Sequence, residues 1–149
     1  MTLILAIDPG TTQSGVVLYL DGRVIESGIH DNPTVLEIIG RTDAEQLAIE
    51  MVESFGMAVG KEVFRTVWWI GRFAQAWMDR RGALPAEVTR KAVKLHLCGS
   101  PRAKDPNIRQ ALLDKLGPQG TKAAPGPTYG VKSHAWSALA VAVTAAEAA

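Results

Sequence analysis

Residues 2–8, Thr-Leu-Ile-Leu-Ala-Ile-Asp, form an apolar run that ends on a carboxylate and stops at Pro9-Gly10. Such a run is a buried strand halted by a turn. Gly15 to Leu20 is a second β-rich run, Asp21-Gly22 is a hairpin signal, and Arg23 to Ile29 is a third run. The first thirty residues therefore predict a three-stranded antiparallel meander, which restricts the fold to those that begin with one.

The rest of the chain alternates. Asn32-Pro33 opens a short helical or irregular connection, and Gln46 to Val52 is a fourth strand, with helix as the alternative. Across 61–80 the apolar residues Val63, Val67, Ile70, Ala74, Trp77 and Met78 fall at helical spacing, and Gly82 closes the helix. Trp68 and Trp69 add bulk to more than one face, so this reads as a core helix or as one whose second apolar face meets another subunit. A short strand near Glu87–Thr89 leads into the basic segment Arg90 to His96. Asp105-Pro106 reads as N-cap and first turn of a helix to about Leu116, ended by Gly117-Pro118. Residues 117–130, with four Gly and three Pro, read as a flexible loop, and Ser133 as the cap of a final Ala-rich helix. Strands followed by alternating helices predict an α/β fold with a mixed sheet flanked by helices.

At 149 residues the chain suits one domain, 1–149, with a sizeable core. Its 47% hydrophobic content is too high for a disordered tail. No apolar run approaches the ~20 residues of a bilayer span, and the N-terminus has no basic-then-apolar signal pattern. The expectation is a cytoplasmic protein with no membrane partner. The single cysteine, Cys98, excludes an internal disulfide framework and a Cys-rich zinc module. The net charge of +1 hides an asymmetry: 1–59 sums to −7 and 60–122 to +8. That pattern suits a carboxylate-rich site beside a polyanion-binding surface, or two halves that neutralise each other within one fold.

Two acids lie inside apolar strands: Asp8 ends the first and Glu50 sits in the fourth. A carboxylate in a buried strand costs several kcal/mol unless it is paired, protonated or bound to metal. If the first and fourth strands are neighbours, the acids converge, and converging hard oxygens suit Mg²⁺ or Mn²⁺. Singly, each acid also fits a plain role, Asp8 capping its turn and Glu50 facing out from an edge strand.

Four blocks then carry a family resemblance. Leu5-Ala6-Ile7-Asp8-Pro9-Gly10 with Gly15 is similar to the first-strand motif of RuvC-type Holliday junction resolvases, including phage-type members. Ala48-Ile49-Glu50 is similar to their fourth-strand motif. Val93-Lys94, Gly99-Ser100 and Ala103-Lys104 resemble their basic stretch, and His134 to Ala142 resembles the start of their final helix. The resemblance implies an RNase H-like fold, a homodimer, and metal-dependent endonucleolytic cleavage of branched DNA, such as a Holliday junction, by two-metal phosphodiester hydrolysis. Asp8, Glu50 and His134 would be catalytic metal ligands, and Lys104 a catalytic or phosphate-binding lysine. Ser137 falls at the second ligand position of the final helix, one helical turn from His134, where the resolvases have an acid. The substitutes for that acid are Glu53, which on a regular strand faces away from Glu50, and Asp105, which reads better as a helix cap. His30 and His96 read as structural.

Arg90, Lys91, Lys94, Arg102 and Lys104 lie within fifteen residues, with Arg109 one turn beyond, and form the expected DNA-binding set. Phe55 is placed to stack on a base or wedge a junction, or to pack in its own loop. Two competing readings remain. One is a junction-binding module that lost cleavage with the acid at Ser137. The other is an actin-like or sugar-kinase ATPase fragment, because Asp8-Pro-Gly-Thr-Thr also resembles that family's phosphate-binding turn.

Overall fold

The computed structural model describes residues 1–148. Five strands, β1 (Leu3–Asp8), β2 (Gln13–Leu20), β3 (Arg23–Asp31), β4 (Gln46–Met51) and β5 (Ala86–Thr89), form one sheet in the order β3-β2-β1-β4-β5. The first three strands are antiparallel, while β1 pairs in parallel with β4 and β4 with β5. Asp21 and Gly22 have φ of 43° and 83°, the paired left-handed conformation that matches a two-residue hairpin loop to strand twist. The expected meander and mixed sheet are both present.

Helices cover both faces: α1 (Asn32–Arg41) and α2 (Lys61–Arg81) on one, α3 (Arg90–Cys98), α4 (Asp105–Leu116) and α5 (Ala135–Glu147) on the other. The central strands are therefore apolar on both sides, which is why β1 and β4 read as continuous hydrophobic runs. Along β1, Leu5 and Ile7 face α1 and α2, whereas Ile4 and Ala6 face α5. The same alternation in β4 puts Leu47 and Ile49 on the first side and Ala48 on the second.

Several local expectations change. In α2 the buried residues are Ile70, Phe73 and Trp77, while Val67 is exposed, because only the C-terminal part of the helix meets α1 and the sheet. Arg80 and Arg81 donate to the carbonyls of Gly40, Thr42 and Ala44, so these two basic groups are engaged internally. The basic segment after β5 is helical, with Thr89 as N-cap accepting from the Ala92 N–H. Asp105 is not an N-cap. Lys104 holds that position, its N–H donating to Asn107 Oδ1 at 3.0 Å, and Asp105 is the first helical residue. Ser133 does not cap α5; it has φ of 51°, and His134 occupies the cap position without a side-chain bond. Residues 117–130 form a folded connection rather than a free loop. Gly126 N–H donates to Gln119 O, Thr128 is fully buried with its hydroxyl on Gly117 O, and Gly120 pairs with Pro125.

Candidate active site

Asp8 and Glu50 are brought together by register. Ile7 pairs with Ile49, so the next residues along the two parallel strands, Asp8 and Glu50, lie side by side. Both fall in phase with Ala6 and Ala48, on the sheet face covered by α5. Their side chains are mostly buried, with exposures of 13% and 19%. Burial pushes both carboxyls up. Glu50 reaches about 7, raised first by desolvation and then by the Asp8 charge, with Arg90 opposing. Asp8 is raised by desolvation, partly offset by hydrogen bonding with Glu50 and by Arg90. Glu50 Oε1 is inaccessible to solvent and accepts no hydrogen bond.

The turn after Asp8 is clamped from behind. Ser14 Oγ donates to Asn32 Oδ1 at 2.7 Å, Asn32 Nδ2 donates to Gly10 O at 3.0 Å, and Gly10 N–H donates to Ser14 Oγ at 3.3 Å. Asn32 is fully buried. The sequence reading treated it only as the opening of a connection; an Asn at the start of a helix gives no hint that its amide closes a turn twenty-two residues earlier.

α5 delivers the third group. A Cβ on Gly15 would lie 2.5 Å from the carbonyl oxygen of His134, so the glycine lets the start of α5 rest directly on β2. His134 Nδ1 is then 3.4 Å from Asp8 Oδ2, although the ring is 68% exposed. Ser137 lies one turn further on, half-buried, and lines a cavity together with His134.

Arg90, the first residue of α3, follows the strand in which Val88 pairs with Glu50. One guanidinium nitrogen is 3.6 Å from Glu50 Oε1 and the other is bonded to Asp105. Asp105 is therefore near the carboxylate pair, but as the partner of a cation. Glu53 lies beyond the end of β4 on an exposed segment and joins nothing. Lys104 is exposed and makes no ion pair among the described residues.

Of the expected DNA-binding set, Arg90 and Arg109 line a cavity of about 370 Å³ together with Asp105, His134, Trp136 and Ser137. Arg109 stacks on Trp136 with its guanidinium carbon 4.8 Å from the ring centroid. Lys91 and Lys94 sit on α3, and Arg102 and Lys104 on the turn between α3 and α4, outside that cavity's lining. Phe55 is 73% exposed on the segment after β4, so it does not pack in its own loop. His96 is structural, its Nε2 2.7 Å from Glu147 Oε1, which also meets Lys115 and so ties α3, α4 and α5 together. A second cavity of about 300 Å³ is lined by Asp8, Thr11, Thr12 and His134, so His134 stands between the two. A larger cavity, about 600 Å³, lies on the α1 face among Leu5, Val16 and Asp43, away from both carboxylates.

The donor set suits a hard divalent cation. Asp8 and Glu50 offer adjacent oxygens, and Glu50 Oε1 is a buried acceptor that makes no hydrogen bond, with the Arg90 guanidinium 3.6 Å away. Among the described residues no three His, Cys, Asp or Glu side chains form a ready-made cage. Mg²⁺ needs none, since it is commonly held by one or two carboxylates with waters and substrate phosphates completing its shell.

No protein-family model matches this chain, and no curated protein matches it in sequence. Among solved structures, T. thermophilus RuvC in complex with Holliday junction substrate is similar, with a TM-score of 0.71 and 24% identity over 98% of this chain and 93% of that one. A second Thermus thermophilus RuvC structure is similar at a TM-score of 0.71 and 23% identity, over 97% and 93% of the two chains. The similarity spans nearly the whole of this chain, and the fold is RuvC-like.

Proposed function

We propose that this protein is a divalent-metal-dependent endonuclease that cleaves branched DNA, with the four-way junction as the substrate class. The observation that carries the reading is the pair of buried acids, Asp8 and Glu50, at the ends of adjacent parallel strands in a RuvC-like fold. Asp8 and Glu50 would hold the metal, Mg²⁺ or Mn²⁺, with His134 beside Asp8 and Ser137 one turn beyond. When bound, the metal supplies Lewis acidity for making a hydroxide-like nucleophile and for charge on the phosphate. In the reaction, a water oxygen bonds to phosphorus while a bridging P–O bond breaks; one proton ends on the departing oxygen and the other leaves to solvent. The chain's own contribution is to keep two carboxylates adjacent in a half-dry site, with the Ser14–Asn32–Gly10 clamp fixing the turn that aims Asp8.

The cations of α3 and of the turn that follows it border this site and suit a phosphate backbone, which positions a protein on DNA without reading its sequence. A homodimer fits the same reading, because symmetric nicking of a junction needs two sites related by a two-fold axis. Phe64 and Trp68 of α2 are exposed at 65% and 51%, which supports that helix as the contact. A second reading, a junction-binding module without cleavage, is favoured by the neutral hydroxyl at Ser137.

The test is a cleavage assay on a four-way junction, a flap and a plain duplex, with Mg²⁺, Mn²⁺ or EDTA. Metal-dependent cutting of the junction, reduced at least about a hundredfold in Asp8→Asn, is the expected result. Tight junction binding with no cutting in any metal would establish the binding module instead.

A further inference from the structure

Trp136 and Arg109 form a paired surface beside the carboxylates that the cleavage chemistry leaves unused. Trp136, the second residue of α5, is 8% exposed. Arg109, on α4, lies over its ring with the guanidinium carbon 4.8 Å from the centroid. Ile108 and Leu112, the buried residues of α4, hold that helix in place. Arg109 is itself exposed and makes no ion pair among the described residues. One side of its guanidinium is thus taken by the indole, and the other is open to the cavity of about 370 Å³ that both residues line. Arg65, Arg72 and Arg81 also lie over tryptophans, but these belong to α2 on the opposite sheet face.

The cavity adjoins the carboxylate pair directly. His134, whose Nδ1 is 3.4 Å from Asp8, and Arg90, 3.6 Å from Glu50, line it too. The rest of its lining joins apolar Pro106 and Ile108 to the Ser137 hydroxyl and the Asp105 carboxylate. A phosphate there would meet that carboxylate and the apolar walls. A nucleobase carries no charge: its flat faces suit a guanidinium plane and apolar walls, and its edge suits a hydroxyl and a carboxylate. We propose that Arg109, backed by Trp136, is a stacking platform that takes one unpaired base from the branch point, beside the cut phosphate, and so makes the enzyme prefer branched DNA. This rests on the nuclease reading above. In a plain duplex each base is paired and stacked on both sides, and drawing one out is costly; strand exchange interrupts the stack at a branch point and lowers that cost. A branched substrate therefore fills the cavity while its phosphate reaches Asp8 and Glu50. Arg109 makes the contact, and Trp136 is the residue that positions it.

The test uses the full chain and a synthetic four-way junction with the fluorescent base 2-aminopurine placed in turn at the nucleotides flanking the branch point. Fluorescence is read with the protein bound in EDTA. Leaving the DNA stack should raise the signal at one position at least about threefold. Arg109→Lys keeps the charge but not the plane, so it should abolish the rise while leaving the salt dependence of binding unchanged. Trp136→Leu should lose the rise and Trp136→Phe, which keeps a ring under the guanidinium, should restore it. Cleavage in Mg²⁺ gives the second readout. An abasic nucleotide at the responsive position should slow the wild type about tenfold, and Arg109→Lys should slow cleavage of the intact junction by about the same factor. The two changes together should be no slower than either alone, because both remove the same contact. No rise at any position, a rise that survives in Arg109→Lys, or losses that multiply would each overturn the proposal. Multiplying losses would make Arg109 a separate phosphate contact. A wild type that cuts the junction without a fluorescence rise defeats this inference alone. One that binds without cutting, yet shows a rise lost in Arg109→Lys, defeats the nuclease reading and leaves base capture standing.

Discussion

Glu50 shows how a single residue sets function against stability. Its carboxyl is pushed up to about 7 by desolvation and by its neighbour Asp8, which is itself raised by burial. The folded state therefore holds protons that the unfolded chain releases. Stability from this pair is fully present below the unfolded value near 4.5 and is lost as pH rises through about 7. Glu50→Gln should accordingly raise the metal-free Tm at pH 8 by about 3–6 °C, with little effect at pH 5, and should abolish the further rise expected of the wild type in Mg²⁺. Thermal melts at the two pH values check this, and a lower Tm for the variant at pH 8 would contradict it. Asn32 works in the opposite direction. Asn32→Ala strands the Ser14 hydroxyl and the Gly10 carbonyl, so it should cost about 2–3 kcal/mol and lower Tm by about 5–10 °C.

At the scale of elements, the site depends on how closely α5 approaches β2. Gly15 is the point of contact, against the His134 carbonyl. Gly15→Ala should cost about 1–3 kcal/mol by overpacking and lower junction cleavage at least about tenfold, since His134 and Ser137 move with the helix. Wild-type cleavage by a folded Gly15→Ala protein would mean that the seating of α5 does not set the site. The elements themselves were largely legible in the sequence. The meander, β4, the Trp-bearing helix and the final helix all appear where pattern and turn signals put them. The misreadings concern ends and partners. Asp105 looked like a cap because Asp-Pro is a common helix start, but the cap one residue earlier is closed by Asn107, which frees Asp105 to bind Arg90. The Gly- and Pro-rich stretch 117–130 looked loose because composition does not reveal a buried Thr128 or a Gly120–Pro125 pairing.

For the whole molecule, the charge asymmetry read from sequence is partly an internal affair. Arg80 and Arg81 bind carbonyls near the end of α1, and Arg90 binds Glu50, so these members of the basic third serve the fold and the site. The remaining cations of α3 and α4 should give junction binding that survives EDTA but weakens steeply with salt, with a log–log slope of at least about −3. A slope near zero in a binding titration would place the DNA contact elsewhere. The exposed Trp68 on α2 is partly covered by Arg65 and Arg72, at 4.9 and 5.1 Å from its ring centroid. Trp68→Glu should shift the protein from dimer to monomer in sedimentation at tens of micromolar; a wild type that is monomeric there removes the symmetric-nicking picture.

The sequence by itself determined the strand and helix pattern, the α/β class and the two acids that no apolar strand carries without a reason. Those are local properties, set by periodicity, turn chemistry and the cost of burying charge. Only the tertiary structure decided that Asp8 and Glu50 stand side by side, because that depends on β1 pairing with β4 across nearly forty intervening residues. It also decided that the cation beside them is Arg90 rather than Lys104, since both are basic residues in the same stretch. Which of the two meets a carboxylate depends on where β5 ends and α3 begins.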